Sequence, residues 1–260
     1  MSLGAAAALM AEARRAVALT GAGISTESGL PDFRSLGGLW QEADPMAVAS
    51  RTALERRPEA FYAFYRARLA KLAEARPNPG HQALADLERA GRVQTIITQN
   101  VDGLHQAAGS RRVIEIHGNL RESACILCGA VGPISLLVEA LDAGGLPRCG
   151  RCGGLLKPNV VLFEDLMPQA AWQQATEAAR TCDVMLVVGS SLQVTPAASL
   201  PQEALDCGAR LLIINRESTP YDRQATVVAR GEAGRILPQL AAALCGTGAP
   251  GEEPAARLPN

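Results

Sequence analysis

The chain has few aromatic residues, 3% of the whole, and three histidines among 260 residues. Packing must therefore come from aliphatic strands and alanine-rich helices, which favours an α/β protein. Charge of either sign is not in excess, the net value being −1. That balance argues against a general nucleic-acid binder, which needs a positive surface excess, and leaves room for a local basic groove. No apolar run reaches about 18 residues, and Glu12, Arg14 and Arg15 interrupt the alanine-rich N-terminus. Neither a membrane span nor a secretory leader is expected. Seven cysteines in a chain of this size, without such a leader, point to a reducing, cytoplasmic setting and not to a disulfide framework. Four of them form two pairs, which leaves Cys182, Cys207 and Cys245 as structural or surface thiols.

What the sequence does contain is organised around Leu19 to Arg34. The apolar run Ala16 to Leu19 stops at Gly21-Ala22-Gly23 and small polar residues follow, as where a parallel strand hands over to a phosphate-binding turn. On that reading the two glycines let backbone N–H groups approach a pyrophosphate. The third glycine of a dinucleotide fingerprint is missing, Thr26 standing in its place, so the turn alone is weak evidence. Asp32, Phe33 and Arg34 then add an acid, an aromatic and a base that a plain nucleotide site does not require.

Residues 4 to 15 read as a helix, and Ser35 to Trp40 as a loop able to close over a ligand. Asp44 to Arg76 is helical in character, with Pro45 and Pro58 placed where helices begin, and His81 to Ala90 is a further helix. The run Val93 to Thr98 delivers Gln99, Asn100, Val101 and Asp102 to a strand end, and Val113 to Ile116 delivers His117. Further strands, Val184 to Val188 and Leu211 to Ile214, end in Gly189-Ser190-Ser191 and in Asn215-Arg216. Ile134 to Leu141 is a short amphipathic segment, and helices are expected over Gln169 to Thr181 and Pro201 to Cys207. The alternation predicts an open, mostly parallel, doubly wound sheet with polar strand ends along one edge.

Cys125-x2-Cys128 and Cys149-x2-Cys152, twenty residues apart, have the spacing of a structural zinc site with four thiolates. A redox Cys-x2-Cys pair competes, without a thioredoxin-like βαβ context to support it. Saturated by four thiolates, the metal has no position left for catalysis. His117 is a core or surface histidine by default, but its strand-end position among candidate ribose-binding groups suits a general base. His105 is suited to orienting its loop and His81 to a structural role near a helix start. Tyr65 and Arg68, spaced i and i+3, share a helix face and together suit an anion, although an aromatic cluster on one helix usually serves packing.

Taken in order, the Gly21 to Ser25 and Gly29 to Arg34 motifs, Thr98 to His105, His117-Gly118, the four cysteines, Gly189 to Leu192 and Asn215 resemble the sirtuins, NAD-dependent protein lysine deacylases. The likeness spans roughly residues 10 to 240. It implies a Rossmann-like NAD-binding domain (4–35, 81–120 and 157–245), a cofactor loop with a helical module (36–80), a small zinc-ribbon module (121–156) and a disordered tail (246–260). It also implies the reaction. The acyl oxygen attacks the nicotinamide ribose, nicotinamide leaves, and His117 deprotonates a ribose hydroxyl that attacks the alkylimidate. Free lysine and 2′-O-acyl-ADP-ribose result, NAD being a co-substrate.

By the same resemblance Gly21, Ala22, Gly23, Thr26, Asp32 and Arg34 lie along the cofactor, and Phe33 shields the reacting centre. Asn100, Val101 and Asp102 line the nicotinamide pocket, Asn100 being placed with His117 in the catalytic set. Gln99 holds the ribose, while Gly189, Ser190, Ser191, Asn215 and Arg216 serve the adenosine half. Val160, Val161, Leu162 and Phe163 pair with the substrate peptide by strand addition. Acyl-lysine proteins or peptides are the implied partners, with neither nucleic acid nor membrane.

Two departures stand out. Glu164-Asp165 replaces the usual Gly-Glu; the added carboxylate alters backbone approach and favours basic substrates, or is a surface charge. Tyr65-x2-Arg68 fits the sirtuin branch that removes succinyl and malonyl groups, while Asp32 stands where that branch often has threonine. A mono-ADP-ribosyltransferase on the same NAD site, and a non-catalytic zinc-ribbon binding module, are the competing readings.

Overall fold

Strand β1 (Ala16–Thr20) is buried at all five positions, as the central strand of a sheet covered on both faces must be. In the computed structural model, which describes residues 3–32 and 38–246, β1 lies between β2 (Thr95–Thr98) and β7 (Val184–Val188), parallel to both. β3 (Val113–Glu115), β8 (Arg210–Asn215) and β9 (Val227–Arg230) complete a parallel sheet in the order β3-β2-β1-β7-β8-β9. The chain builds outward from β1 to β3, then from β7 to β9. The switch point therefore falls between the carboxyl ends of β1 and β7, where doubly wound sheets bind ligands.

Alternate residues of the same strands enter different cores. Ala18, Ile96, Leu186 and Leu212 pack with α1 (Leu3–Glu12), α6 (Pro79–Arg89) and α11 (Ala233–Cys245). Val17, Leu19, Ile97, Val187 and Ile213 pack on the other face with α9 (Gln169–Thr181) and α10 (Leu200–Asp206). Full burial of such a side chain stabilises the fold by about 1.5–3 kcal/mol, which is how aliphatic strands compensate for scarce aromatics.

The second layer of organisation is a three-stranded antiparallel sheet, β5-β4-β6 (β4 Gly118–Cys125, β5 Val131–Pro133, β6 Leu156–Val160), with α8 (Ser135–Asp142) against it. Its strands reach beyond residues 121–156 at each end, so β6 belongs to this sheet and not to the parallel one. Between β1 and α6 lie α2 (Leu39–Glu42), α3 (Pro45–Val48), α4 (Arg51–Arg56) and α5 (Pro58–Glu74). Asp44 and Ser50 cap α3 and α4 through their side chains, and Phe61, Tyr62 and Tyr65 on α5 are buried against Leu120, Leu137, Val160 and Leu162. Helix α7 (Leu104–Ala107) follows the β2 loop.

β9 and α11 are additions to the sequence reading. Val227–Arg230 is a four-residue edge strand, and Pro238 lies inside α11, where proline normally argues against a helix. Phe33 and Arg34, the first half of the expected closing loop (35–37), and the tail from 247 onward lie outside the described residues. No helix among the described residues is long and apolar enough to cross a membrane.

Candidate active site

The two glycines after β1 are fixed by how closely two chain segments cross. Gly21 N–H donates to Val188 O at 3.1 Å and Gly23 N–H to Gly189 O at 2.8 Å. A Cβ on Gly23 would stand 2.8 Å from Gly189 Cα and O, and one on Gly189, at φ 58°, would stand 2.3 Å from Ile24 N. These N–H groups are therefore spent within the protein and are not free for a pyrophosphate, which corrects the reason expected for the glycines. The Thr26 hydroxyl donates to Gly23 O at 3.0 Å, which ties it to the glycine turn.

The crossing forms one side of a cavity of about 560 Å³, within the size range of small-ligand sites. Its wall brings together Gly21, Ala22, Gly23 and Asp32 with Gln99, Asn100, Val101, Asp102 and His117. Gly189, Ser190, Ser191, Asn215 and Arg216 line it from the β7 and β8 ends, and Tyr65, Arg68 and Val160–Phe163 from the module side. An ion pair of 3.9 Å between Arg216 and Asp32 joins the β8 end to the β1 loop.

His117 Nδ1 lies 2.9 Å from Gln99 O, an atom that can only accept, so Nδ1 carries the proton. Nε2 is then an unprotonated base. Burial lowers the pKa of His117 and the Gln99 bond opposes that shift, so the ring is neutral at neutral pH. The amide of the same Gln99 donates to Ser190 Oγ at 2.9 Å, linking the β2 and β7 ends beside the base.

Ser25, not assigned a role from sequence, proves central. Its hydroxyl donates to Asp102 Oδ2 at 2.7 Å and accepts from Asn100 Nδ2 at 3.1 Å. Since that proton is committed to Asp102, His81 Nε2, 3.3 Å away, donates to Ser25. The signal available was a serine two residues beyond the glycine turn. Asn100 Nδ2 also donates to Gly21 O at 3.1 Å, which fixes the amide with its oxygen left for another partner. Burial raises the carboxyl pKa of Asp102, against hydrogen bonds from Leu104 N–H and Ser25 and the charge of Arg68.

Behind this layer His105 pairs with Thr20 Oγ1 at 2.9 Å, and Thr20 with Thr98 at 2.8 Å. Burial holds His81 down at about 4; burial, helped by the charge of His81, holds His105 at about 3. Both keep the structural roles expected of them: His81 completes a capping box with Asn78, and His105 ties its loop to β1.

On α5 the Arg68 guanidinium sits 5.6 Å from the Phe64 ring centroid. Burial raises the Tyr65 hydroxyl pKa to about 12, against the pull of Arg68. Burial lowers the pKa of Arg68, opposed by Tyr65 and Asp102, so the three groups form one electrostatic cluster. On the strand side Phe163 N–H donates to Ala49 O and Arg51 N–H to Phe163 O, both at 3.1 Å. Leu162 is likewise tied within the chain, its N–H donating to Asp165 Oδ2 at 3.2 Å and its O accepting from Asp165 N–H at 3.0 Å.

The four paired cysteines converge. Cys125 and Cys152 sulfurs are 3.5 Å apart, Cys128 and Cys149 3.8 Å, and all four lie within 4.8 Å of one another. A tetrahedron with Zn–S bonds of about 2.3 Å has edges of about 3.8 Å, so the donor set fits zinc. Sulfurs at these separations are not disulfide-bonded, and none of the seven cysteines forms a disulfide.

The Sir2 family model matches residues 21–196. NAD-dependent protein deacylase 2 of Pyrobaculum aerophilum is 47% identical over 232 residues, covering 89% of this chain and 92% of that protein. NAD-dependent protein deacetylase 1 of Geobacillus kaustophilus is 49% identical over 233 residues, covering 89% and 94%. A solved Sir2 variant with deacetylated p53 peptide and 3′-O-acetyl-ADP-ribose superposes with a TM-score of 0.88 at 36% identity, covering 93% of this chain and 98% of that one. The matched region begins at the glycine crossing and contains the histidine, the four cysteines and the segments after β1, β2 and β7 that wall the cavity: the chain belongs to the Sir2 family.

Proposed function

We propose that the protein is a cytoplasmic NAD-dependent protein lysine deacylase, which transfers the acyl group of a modified lysine to ADP-ribose and releases nicotinamide. One observation carries the reading. His117, with its proton held on Nδ1 by Gln99 O, stands in a single cavity walled both by the strand ends of the parallel sheet and by the α5 and β6 side. A base placed where a dinucleotide and a peptide side chain meet suits acyl transfer between them.

NAD supplies an electrophilic ribose carbon with a leaving group, and this chain's residues do the rest. The Asn100 amide and Asp102, both tied to Ser25, would hold the carboxamide end. Gln99 would orient the ribose beside His117, whose Nε2 would take a hydroxyl proton. Ser190, Ser191 and Asn215 would serve the adenosine half, and Arg216 with Asp32 would flank the diphosphate side. Val160, Val161, Leu162 and Phe163, which line the cavity together, are the candidates for holding the peptide. Cys125, Cys128, Cys149 and Cys152 would hold a zinc ion that stabilises the small sheet and takes no part in the chemistry.

Tyr65 and Arg68 favour a second activity beside deacetylation. Both residues line the cavity, where the Tyr65 hydroxyl and the Arg68 guanidinium would bind the distal carboxylate of a succinyl or malonyl group by charge-assisted hydrogen bonds. Incubation with NAD and acetyl-lysine peptide tests the main reading: nicotinamide should be released only when both are present, together with a product of the mass of acetyl-ADP-ribose. Release without peptide, or transfer of ADP-ribose to protein alone, would overturn it.

A further inference from the structure

Glu164 stands at the cavity rim immediately after Phe163. Its φ is 76°, in the left-handed region that costs a residue with a side chain about 1–2 kcal/mol and glycine almost nothing. The exposed side chain is nevertheless fixed. Thr52 N–H donates to Oε2 at 2.8 Å and the Thr52 hydroxyl to Oε1 at 3.1 Å. Both donors are neutral and bring no positive charge to the carboxylate.

The neighbouring acid is in a different state. Asp165 lies 3.2 Å from Lys157 Nζ and 3.7 Å from Arg51, and also accepts from Leu162 N–H. Arg51 in turn spends its remaining nitrogens on Glu55 at 2.8 Å and Ile126 O at 3.2 Å. Among the described residues no basic side chain forms an ion pair with Glu164. The rim thus presents one immobilised and electrically uncompensated carboxylate next to the segment that would hold the peptide.

We infer that Glu164 is a specificity-determining residue that selects acyl-lysine peptides carrying an arginine or lysine close to the modified residue. The inference rests on the deacylase reading and adds the charge of the preferred substrate. Because Thr52 has already ordered the carboxylate, an incoming cation gains its attraction without the entropy of immobilising that side chain. Exposure limits the size of the effect: a solvated pair of this kind gives a preference of about threefold, and salt screens it.

The test uses acetyl-lysine peptides of equal length that differ only in an arginine or a glutamate beside the acetyl-lysine. Peptide affinity is measured by fluorescence anisotropy and kcat/KM by nicotinamide release, each at low and high salt. The wild-type protein should favour the arginine peptide by about threefold at low salt and lose the preference at high salt. Glu164→Gln retains an acceptor for Thr52 N–H and should abolish the ratio, and Glu164→Lys should invert it. Equal handling of the two peptides by the wild type, or an unchanged ratio in Glu164→Gln, overturns the assignment. Turnover without a ratio sinks only the role of Glu164. A ratio in affinity without turnover sinks only the deacylase reading, and the loss of both sinks the two together.

Discussion

Acidification from pH 8 to pH 5 should destabilise this protein through its histidines. The chain has three, and the fold depresses the pKa of all of them, chiefly by burial. The sign follows directly. A histidine whose folded pKa lies below its unfolded value near 6.5 contributes stability that is present above 6.5 and is lost as pH falls towards the folded value. His81 moves from 6.5 to about 4 and His105 from 6.5 to about 3, so at pH 5 each has lost about 2 kcal/mol. Together they remove about 4 kcal/mol from a total that for single domains is about 5–15 kcal/mol. His117 adds a loss of the same sign. Asp102 works the other way, since its raised carboxyl pKa means that a buried charge is relieved on protonation. Urea denaturation at the two pH values measures the sum, and a slope of about 3 kcal/mol per molar converts 4 kcal/mol into a midpoint shift of about 1.3 M. His105→Gln isolates one contribution, because glutamine can still donate to Thr20 while it cannot titrate. That variant should lose about 2 kcal/mol of the pH dependence. An identical pH dependence in wild type and variant would refute the argument from burial.

Gly23→Ala should lower stability by about 1–3 kcal/mol, read by denaturant midpoint, because its Cβ meets Gly189 backbone atoms that cannot rotate away. Arg68→Met should reduce desuccinylation at least tenfold more than deacetylation, an estimate of about 1.4 kcal/mol for a charge-assisted contact; equal losses in kcat/KM would remove the anion-reading role. Chelation should take one zinc from each chain, measured by metal analysis, and lower the melting temperature as the β4–β6 sheet loses its tie, while an unchanged melting temperature would contradict a structural metal.

Much of the site was legible because its chemistry is carried by position in the chain. Strand runs that end in polar residues placed Asn100, Asp102, His117, Ser190 and Asn215 on one edge, and the parallel sheet brings those ends to one cavity. Cysteine spacing likewise placed four thiols within reach of one ion. What escaped the sequence depends on contacts between distant segments. The role of Gly21 and Gly23 is set by Gly189, more than 160 residues away, and nothing local announces that crossing. Ser25 drew no role from sequence because its partners come from two distant segments, Asn100 and Asp102 from the loop after β2 and His81 from α6. Pro238 hid α11, since a helix stabilised by packing on α6 tolerates a proline that propensity alone would reject. The charge of Glu164 was visible, but not its left-handed backbone or its fixation by Thr52.

The central claim is that His117 is the base in a cavity shared by NAD and acyl-lysine. Nicotinamide and deacylated peptide should be followed together, with NAD and acetyl-lysine peptide saturating, for the wild type and His117→Ala, with zinc content measured on both. The account predicts that the variant keeps its zinc and its fold and forms deacylated peptide at least about 100-fold more slowly. Deacylation by His117→Ala within a few-fold of the wild-type rate would contradict it.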